Sequence, residues 1–251
     1  MFKRKKNLIT FSITDDMLFD NPQLHPQPVS KFIPDWFRNI PNDLKLPTAP
    51  HNIEGLNHVK TVKTCPSFID IYKEGYVILA PYDIYLKYDH DTEEWGFVTS
   101  TVLENMTDSN TQIQEHLDKQ MKDYLPDSSN VHKVFKLQLP LTVNAPKGYN
   151  MRQIPMHYEF NPDWYIAYGV YKADIIPEVN LQLFYTSDKK EVLIKQGTPL
   201  CILAPYKREK FSYIVEKYGT NKKITAINNK YFMNARGKFI NFYYKSGYHK
   251  V

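Results

Sequence analysis

Eight histidines, two cysteines and several groups of carboxylates are the side chains of this sequence best suited to chemistry, and their spacing excludes most of it. His25, His51, His58, His90, His116, His132, His157 and His249 follow no metal-ligand repeat. His90-Asp91 is not a facial-triad pair, because adjacent residues of a strand point to opposite faces. His157 and Glu159 have the spacing that would share one strand face, which ordinary polar alternation explains equally well. Asp83, Asp89, Asp91, Glu93 and Glu94 sit among turn formers and predict a charged hairpin tip. Cys65 precedes Pro66 with no identifiable base, so a nucleophilic role is unsupported. Cys65 and Cys201 both lie among apolar residues, as buried thiols do in a reducing compartment. P-loop, nucleophile-elbow and dinucleotide signatures are missing. These residues imply no catalytic site, no metal and no cofactor.

The C-terminal segment is the strongest interaction candidate. Lys222, Lys223, Lys230, Arg236, Lys238 and Lys245 interleave there with Tyr231, Phe239, Tyr243 and Tyr244. Cations attract phosphates and aromatic rings stack on bases, so single-stranded nucleic acid is one partner this pattern suits. The same composition suits an arm that buries its rings in a neighbouring subunit and sets lysines against an acidic surface. The charge distribution favours the second reading. Lys3, Arg4, Lys5 and Lys6 open the chain, and no acidic residue follows Glu216. Residues 7–216 hold 20 basic against 27 acidic side chains, a balance of −7 beneath the overall +5. A homo-oligomer, or a virion or host protein partner, is therefore expected ahead of nucleic acid.

These residues need a scaffold, and the sequence predicts a mainly β one. Period-two alternation and turn punctuation mark strands over residues 7–14, 59–64, 68–72, 76–80, 84–88, 95–102, 134–143, 149–154, 179–186, 192–195 and 200–203. An inserted helix is expected near 110–125, with Asn110 as cap and Ile113, Leu117, Met121 and Tyr124 on one stripe before Pro126. A second is expected over 207–218, packing Phe211, Ile214, Val215 and Tyr218 and stopping at Gly219. Prolines 22, 26, 28, 34, 41, 47 and 50 predict an extended N-terminal arm, anchored by Phe32-Ile33-Pro34-Asp35-Trp36-Phe37, with a short helix opening at Pro34. The expected organisation is an arm over 1–57, a β body over 58–206 and a helix plus basic aromatic segment over 207–251. The apolar run Leu8–Ile13 is too short for a secretory leader and ends at Asp15-Asp16. No window approaches the roughly 18 apolar residues of a membrane span. A cytoplasmic or virion-borne protein is expected.

Four segments carry a resemblance. Gly75-Tyr76-Val77-Ile78-Leu79-Ala80, Ala145-Pro146-Lys147-Gly148-Tyr149, Gly169 to Val179, and Ile194 to Leu200 are similar, in the right order, to motifs of the trimeric dUTPase and dCTP deaminase superfamily, the β-clip. The resemblance implies a β-clip barrel or sandwich over residues 75–203. It also implies lost chemistry. Val77 stands where the family places a metal-organising Asp, Lys172 where it places the water-activating Asp, Ile175 where a Tyr stacks on the sugar, and Ile202 where a Gln falls. Arg236-Gly237 is a faint counterpart of the fifth motif, without its Gly-rich continuation. A cation cannot take a proton from water, and lost carboxylates leave no hard-oxygen site for Mg²⁺. Together with Ile33-Pro34-Asp35-Trp36-Phe37, the segments Thr64-Cys65-Pro66-Ser67-Phe68-Ile69-Asp70, Glu74 to Ile78, Pro146 to Tyr149 and Gly197 to Leu200 also resemble an uncharacterised family of tailed phages and bacteria, which implies a phage setting and no reaction. The reading is a non-catalytic phage-type β protein acting in assembly or partner binding. A nucleotide-binding or enzymatic relative of dUTPase, and a nucleic-acid binder working through the basic tail, are the alternatives.

Overall fold

A computed structural model describes residues 8–45, 58–99, 113–217 and 219–227. In chain order the strands are β1 (Thr10–Ile13), β2 (Gln27–Pro28), β3 (Asp43–Lys45), β4 (His58–Lys60), β5 (Tyr76–Leu79), β6 (Ile84–Tyr88), β7 (Trp95–Thr99) and β8 (Ile113–Glu115). They continue with β9 (Lys133–Asn144), β10 (Tyr149–Pro155), β11 (Trp164–Ile166), β12 (Gly169–Tyr171), β13 (Glu178–Tyr185), β14 (Glu191–Ile194) and β15 (Pro199–Lys207). Three short α-helices interrupt them: α1 (Asp16–Phe19), α2 (Asp35–Asn39) and α3 (Pro66–Asp70). The mainly β reading holds. The chain divides into two compact units, Met1–Pro34 with Lys73–Arg208, and Asp35–Tyr72 with Glu209–Val251.

The first unit contains three antiparallel sheets. One has the order β1-β9-β13-β11, and β8 also pairs with β9. β9 is long enough to serve two strands along one edge, with Ile113 opposite Leu137 and Thr10 opposite Asn144. The second sheet runs β12-β10-β15-β5-β2, and the third β14-β6-β7. Side chains from all three meet in one core, among them Ile78, Leu86, Phe135, Leu183, Ile194 and Leu203. β6 and β14 alternate buried and exposed positions, as one-sided strands do. Leu200 to Leu203 are buried without alternation, consistent with the place of β15 in the middle of its sheet. The packing is sandwich-like. β1 and β2, from the Pro-rich N-terminal stretch, are strands of this unit's sheets.

In the second unit β3 pairs with β4, Asp43 opposite Lys60, whose side chains also form an ion pair at 2.6 Å. α2 starts at Asp35, directly after Pro34, and buries Phe37, whose ring lies 5.7 Å from that of buried Tyr72. A short helix at 222–227 opens on Asn221, whose side-chain oxygen accepts from the Lys223 and Ile224 backbone N–H groups, each at 3.2 Å.

Three expectations are corrected. The helix near 110–125 is a strand and 3₁₀ turns: Ile113–Glu115 joins β9, and Asp118–Gln120 and Lys122–Tyr124 make single tight turns. Ile113 is buried against β9 while Leu117 and Tyr124 are exposed, so the stripe never forms one face; residues 110–112 lie outside the described residues. The helix expected over 207–218 is also displaced. β15 continues to Lys207, residues 208–217 have no regular structure, and the C-terminal-side helix comes later, at 222–227. Phe211, Ile214 and Val215 face solvent, and without packing a short amphipathic helix is not stable. Residues 68–72, expected as a strand, lie in and after α3, where Pro66 occupies a first-turn position.

Candidate functional site

The segments that carry the resemblance are stretches where the backbone is tightly constrained. Gly75 has φ +100°, and a Cβ there would lie 2.8 Å from the Leu203 carbonyl oxygen and 2.9 Å from Ile202 Cγ2. Only glycine fits where β5 enters against β15. Gly197, at φ +80°, turns the chain into β15. Val77 and Ile202 sit opposite each other on β5 and β15 with no exposed surface. These positions are core, with no opening onto a ligand. β12 leads into the turn that holds Lys172, Asp174 and Ile175; the Ile175 and Ile176 N–H groups both donate to the Lys172 carbonyl, at 2.8 and 2.9 Å. Lys172 is exposed, as are Ile175 and Ile176.

Asp174 ties this turn down. Its Oδ2 accepts from the Gly148 backbone N–H at 2.9 Å and from the Arg208 guanidinium, and the side chain is almost sealed from solvent. The Gly148 N–H first, and Arg208 beside it, hold the carboxyl below the usual carboxylate range. This clamp joins the β9–β10 turn, the β12–β13 turn and the end of β15. It is structural. Behind it, Gln153 is buried on β10 and donates to the Ala167 carbonyl at 2.5 Å, while the Tyr171 hydroxyl lies against both Gln153 Oε1 and the Asn180 carbonyl. Burial pushes the Tyr171 hydroxyl and the Cys201 thiol far up, so neither ionises near neutrality.

The other sequence candidates separate. Asp89 organises the β6–β7 turn, accepting from the Asp91 and Thr92 N–H groups at 2.9 and 3.3 Å and pairing with Lys190 at 3.0 Å. Those backbone donors, then Lys190, lower its pKa. His90 leaves that tip to meet His132 edge to face, ring centroids 4.6 Å apart. His157 and Glu159 lie beyond the end of β10 and share no strand face. Among the described residues no group of three or more His, Cys, Asp or Glu side chains is placed to hold a metal ion. Lys222 and Lys223 are exposed in the first turn of the 222–227 helix; Lys230, Tyr231, Arg236, Lys238, Phe239, Tyr243, Tyr244 and Lys245 lie outside the described residues.

Sequence reasoning missed two features. Phe211, Tyr213, Ile214 and Val215 are 79–90% exposed in a segment without regular structure. The second is a cleft of about 470 Å³ walled by the 155–161 turn, β11 and the start of β15. Tyr158 and Phe160 in its wall have φ of 56° and 52°, left-handed values uncommon for aromatic residues. Partial burial raises the Glu159 carboxyl pKa, although the side chain keeps contact with solvent. The signal available beforehand was the aromatic density of Tyr158, Phe160, Trp164, Tyr165 and Tyr168 around Pro162.

No family model matches the chain, and no curated protein matches it. Solved structures similar to it include a native EIAV dUTPase, at 9% identity over 59% of this chain and 87% of that one, with a TM-score of 0.32. A mutant dUTPase from phage phi11 of S. aureus is 9% identical over 84% of this chain and 99% of that one, TM-score 0.36. A Staphylococcus bacteriophage 80alpha dUTPase mutant with dUpNHpp is 8% identical over 86% of this chain and all of that one, TM-score 0.36. The dUTPase likeness anticipated from residues 75–203 recurs here at low identity. At these values the neighbours' chemistry does not extend to this chain.

Proposed function

We propose that this chain is a non-catalytic, phage-type β protein that acts in assembly or partner binding, as a homo-oligomer or on a virion or host protein. The observation that carries the reading is the run Phe211, Tyr213, Ile214 and Val215. Four large apolar side chains within five residues stand 79–90% exposed. Contiguous apolar exposure of this kind marks a binding surface, since an isolated chain gains nothing by holding it in water. Val170, Ile175 and Ile176 add exposed apolar surface around β12, an edge strand of its sheet. Lys172 supports the non-catalytic half, because an ammonium group offers no lone pair to activate water.

The test has two arms. Replacing Phe211 and Ile214 by Ser should lower the mass measured by light scattering, or abolish capture of a virion or host partner, with the fold intact. An unchanged mass and unchanged capture would count against this surface. Purified protein with Mg²⁺ should neither hydrolyse dUTP nor deaminate dCTP; turnover that disappears in Lys172→Ala would return the chain to the enzymes.

A further inference from the structure

The cleft at the end of β10 serves none of the roles above, and its lining is chemically one-sided. Five Tyr, Phe and Trp rings, the His157 imidazole and one carboxylate, Glu159, face about 470 Å³ of space, with no Lys or Arg among the lining residues. Phe160 and Tyr168 are both 77% exposed at its mouth, while Trp164 is buried at its wall. The rings of Tyr158 and Phe160 pack against each other, centroids 6.1 Å apart and tilted by 45°, and form one aromatic wall of the cleft. The left-handed turn that presents them is costly for residues with a side chain, and such strain collects where a surface is shaped for a ligand.

We propose that this cleft binds an organic cation, a guanidinium or alkylammonium group held against the aromatic faces with Glu159 as its counter-ion. The face of each ring carries partial negative charge and attracts a cation that has shed part of its water. Guanidinium suits the site best, being flat and weakly hydrated. A carboxylate already stripped of part of its hydration gains more from an arriving cation than a fully solvated one does. An anionic ligand would meet Glu159 and ring faces of the same sign. An uncharged apolar ligand would leave the carboxylate without a partner on the ligand. The proposal stands on residues separate from the Phe211–Val215 surface, so each can fail alone.

Titration calorimetry on the full chain near neutral pH decides it. N-acetyl-arginine amide should bind saturably, and N-acetyl-citrulline amide, its uncharged near-isostere, about tenfold more weakly or not at all. Glu159→Gln and Tyr168→Ala should each weaken the arginine compound by roughly threefold to thirtyfold, whereas Tyr124→Ala, an exposed ring that does not line the cleft, should leave it unchanged. Comparing agmatine with a blocked Gly-Arg-Gly peptide identifies the source: tighter binding of the first indicates a free amine ligand, of the second an arginine on a polypeptide. Equal binding of arginine and citrulline compounds, full affinity in Glu159→Gln, or no saturable binding of any of the four would overturn the proposal.

Discussion

His132 is held among groups that resist its protonation. Its ring stacks on Tyr88 at 5.9 Å and meets the edge of His90, and Asp188 is 3.7 Å away but fully exposed. Desolvation first, then repulsion from His90, lowers its pKa below the ordinary 6.5; Lys122 adds to the lowering and Asp188 opposes it. The unfolded chain therefore binds a proton in a range where the folded chain resists one. Stability from this residue is complete above 6.5 and is lost as pH falls from there through the folded value. Asp89 and Asp163, whose pKa values are lowered, act in a more acidic window: their contribution is present above 3.8 and lost below it. Urea midpoints should then decline as pH falls below 6.5, and His132→Gln should flatten that decline. An unchanged slope in the variant would assign it elsewhere. Residue identity alone showed that His132 could titrate. It did not show the setting, because Tyr88, His90 and Asp188 come from other elements.

The strands that alternate were legible, and their limits shifted by a few residues at most. Glu178–Tyr185 and Glu191–Ile194 follow the expected pattern because one face of each meets the core. What failed was arbitration between helix and strand in short apolar segments. Ile113 satisfied a helical stripe, but the free edge of β9 offered it pairing with Leu137, and the tertiary contact prevailed. Phe211, Ile214 and Val215 had helical spacing, yet all three face solvent. Trp164–Ile166 and Gly169–Tyr171 were too short to register. The aromatic cleft was hidden for a related reason, since its walls come from a turn and two separate strands. The strand expected over residues 200–203 forms within β15, where all four residues are buried. Leu200 is 1% exposed, so Leu200→Ala should cost about 2–5 kcal/mol in chemical denaturation. A loss below roughly 0.5 kcal/mol is what an exposed site gives, and would contradict the packing of β15.

Across the whole molecule, charge is unevenly placed: residues 7–216 carry −7 while both ends are basic. Opposite signs in separate segments of the sequence favour association that salt slows, because screening reaches exposed charges first. Deleting residues 220–251 should lower oligomeric mass or end partner capture and leave the β unit folded. If mass is unchanged and only DNA or RNA retention is lost, the basic tail is a nucleic-acid arm instead. No helix among the described residues is long and apolar enough to cross a membrane. Most of the candidate contact residues of the C-terminal segment lie outside the described residues. The central position of β15 has a further consequence, for synthesis. β5 ends at Leu79, yet its neighbour in the sheet begins at Pro199, and β10 needs the same strand. At roughly 5–20 residues per second, β5 waits on the order of 10 s for β15 after leaving the ribosome. During that wait, apolar Val77, Ile78 and Leu79 lack the strand that buries them. Nascent chains arrested before residue 199 should be protease-sensitive and engage chaperones, and chains extended past Lys207 and clear of the exit tunnel should not.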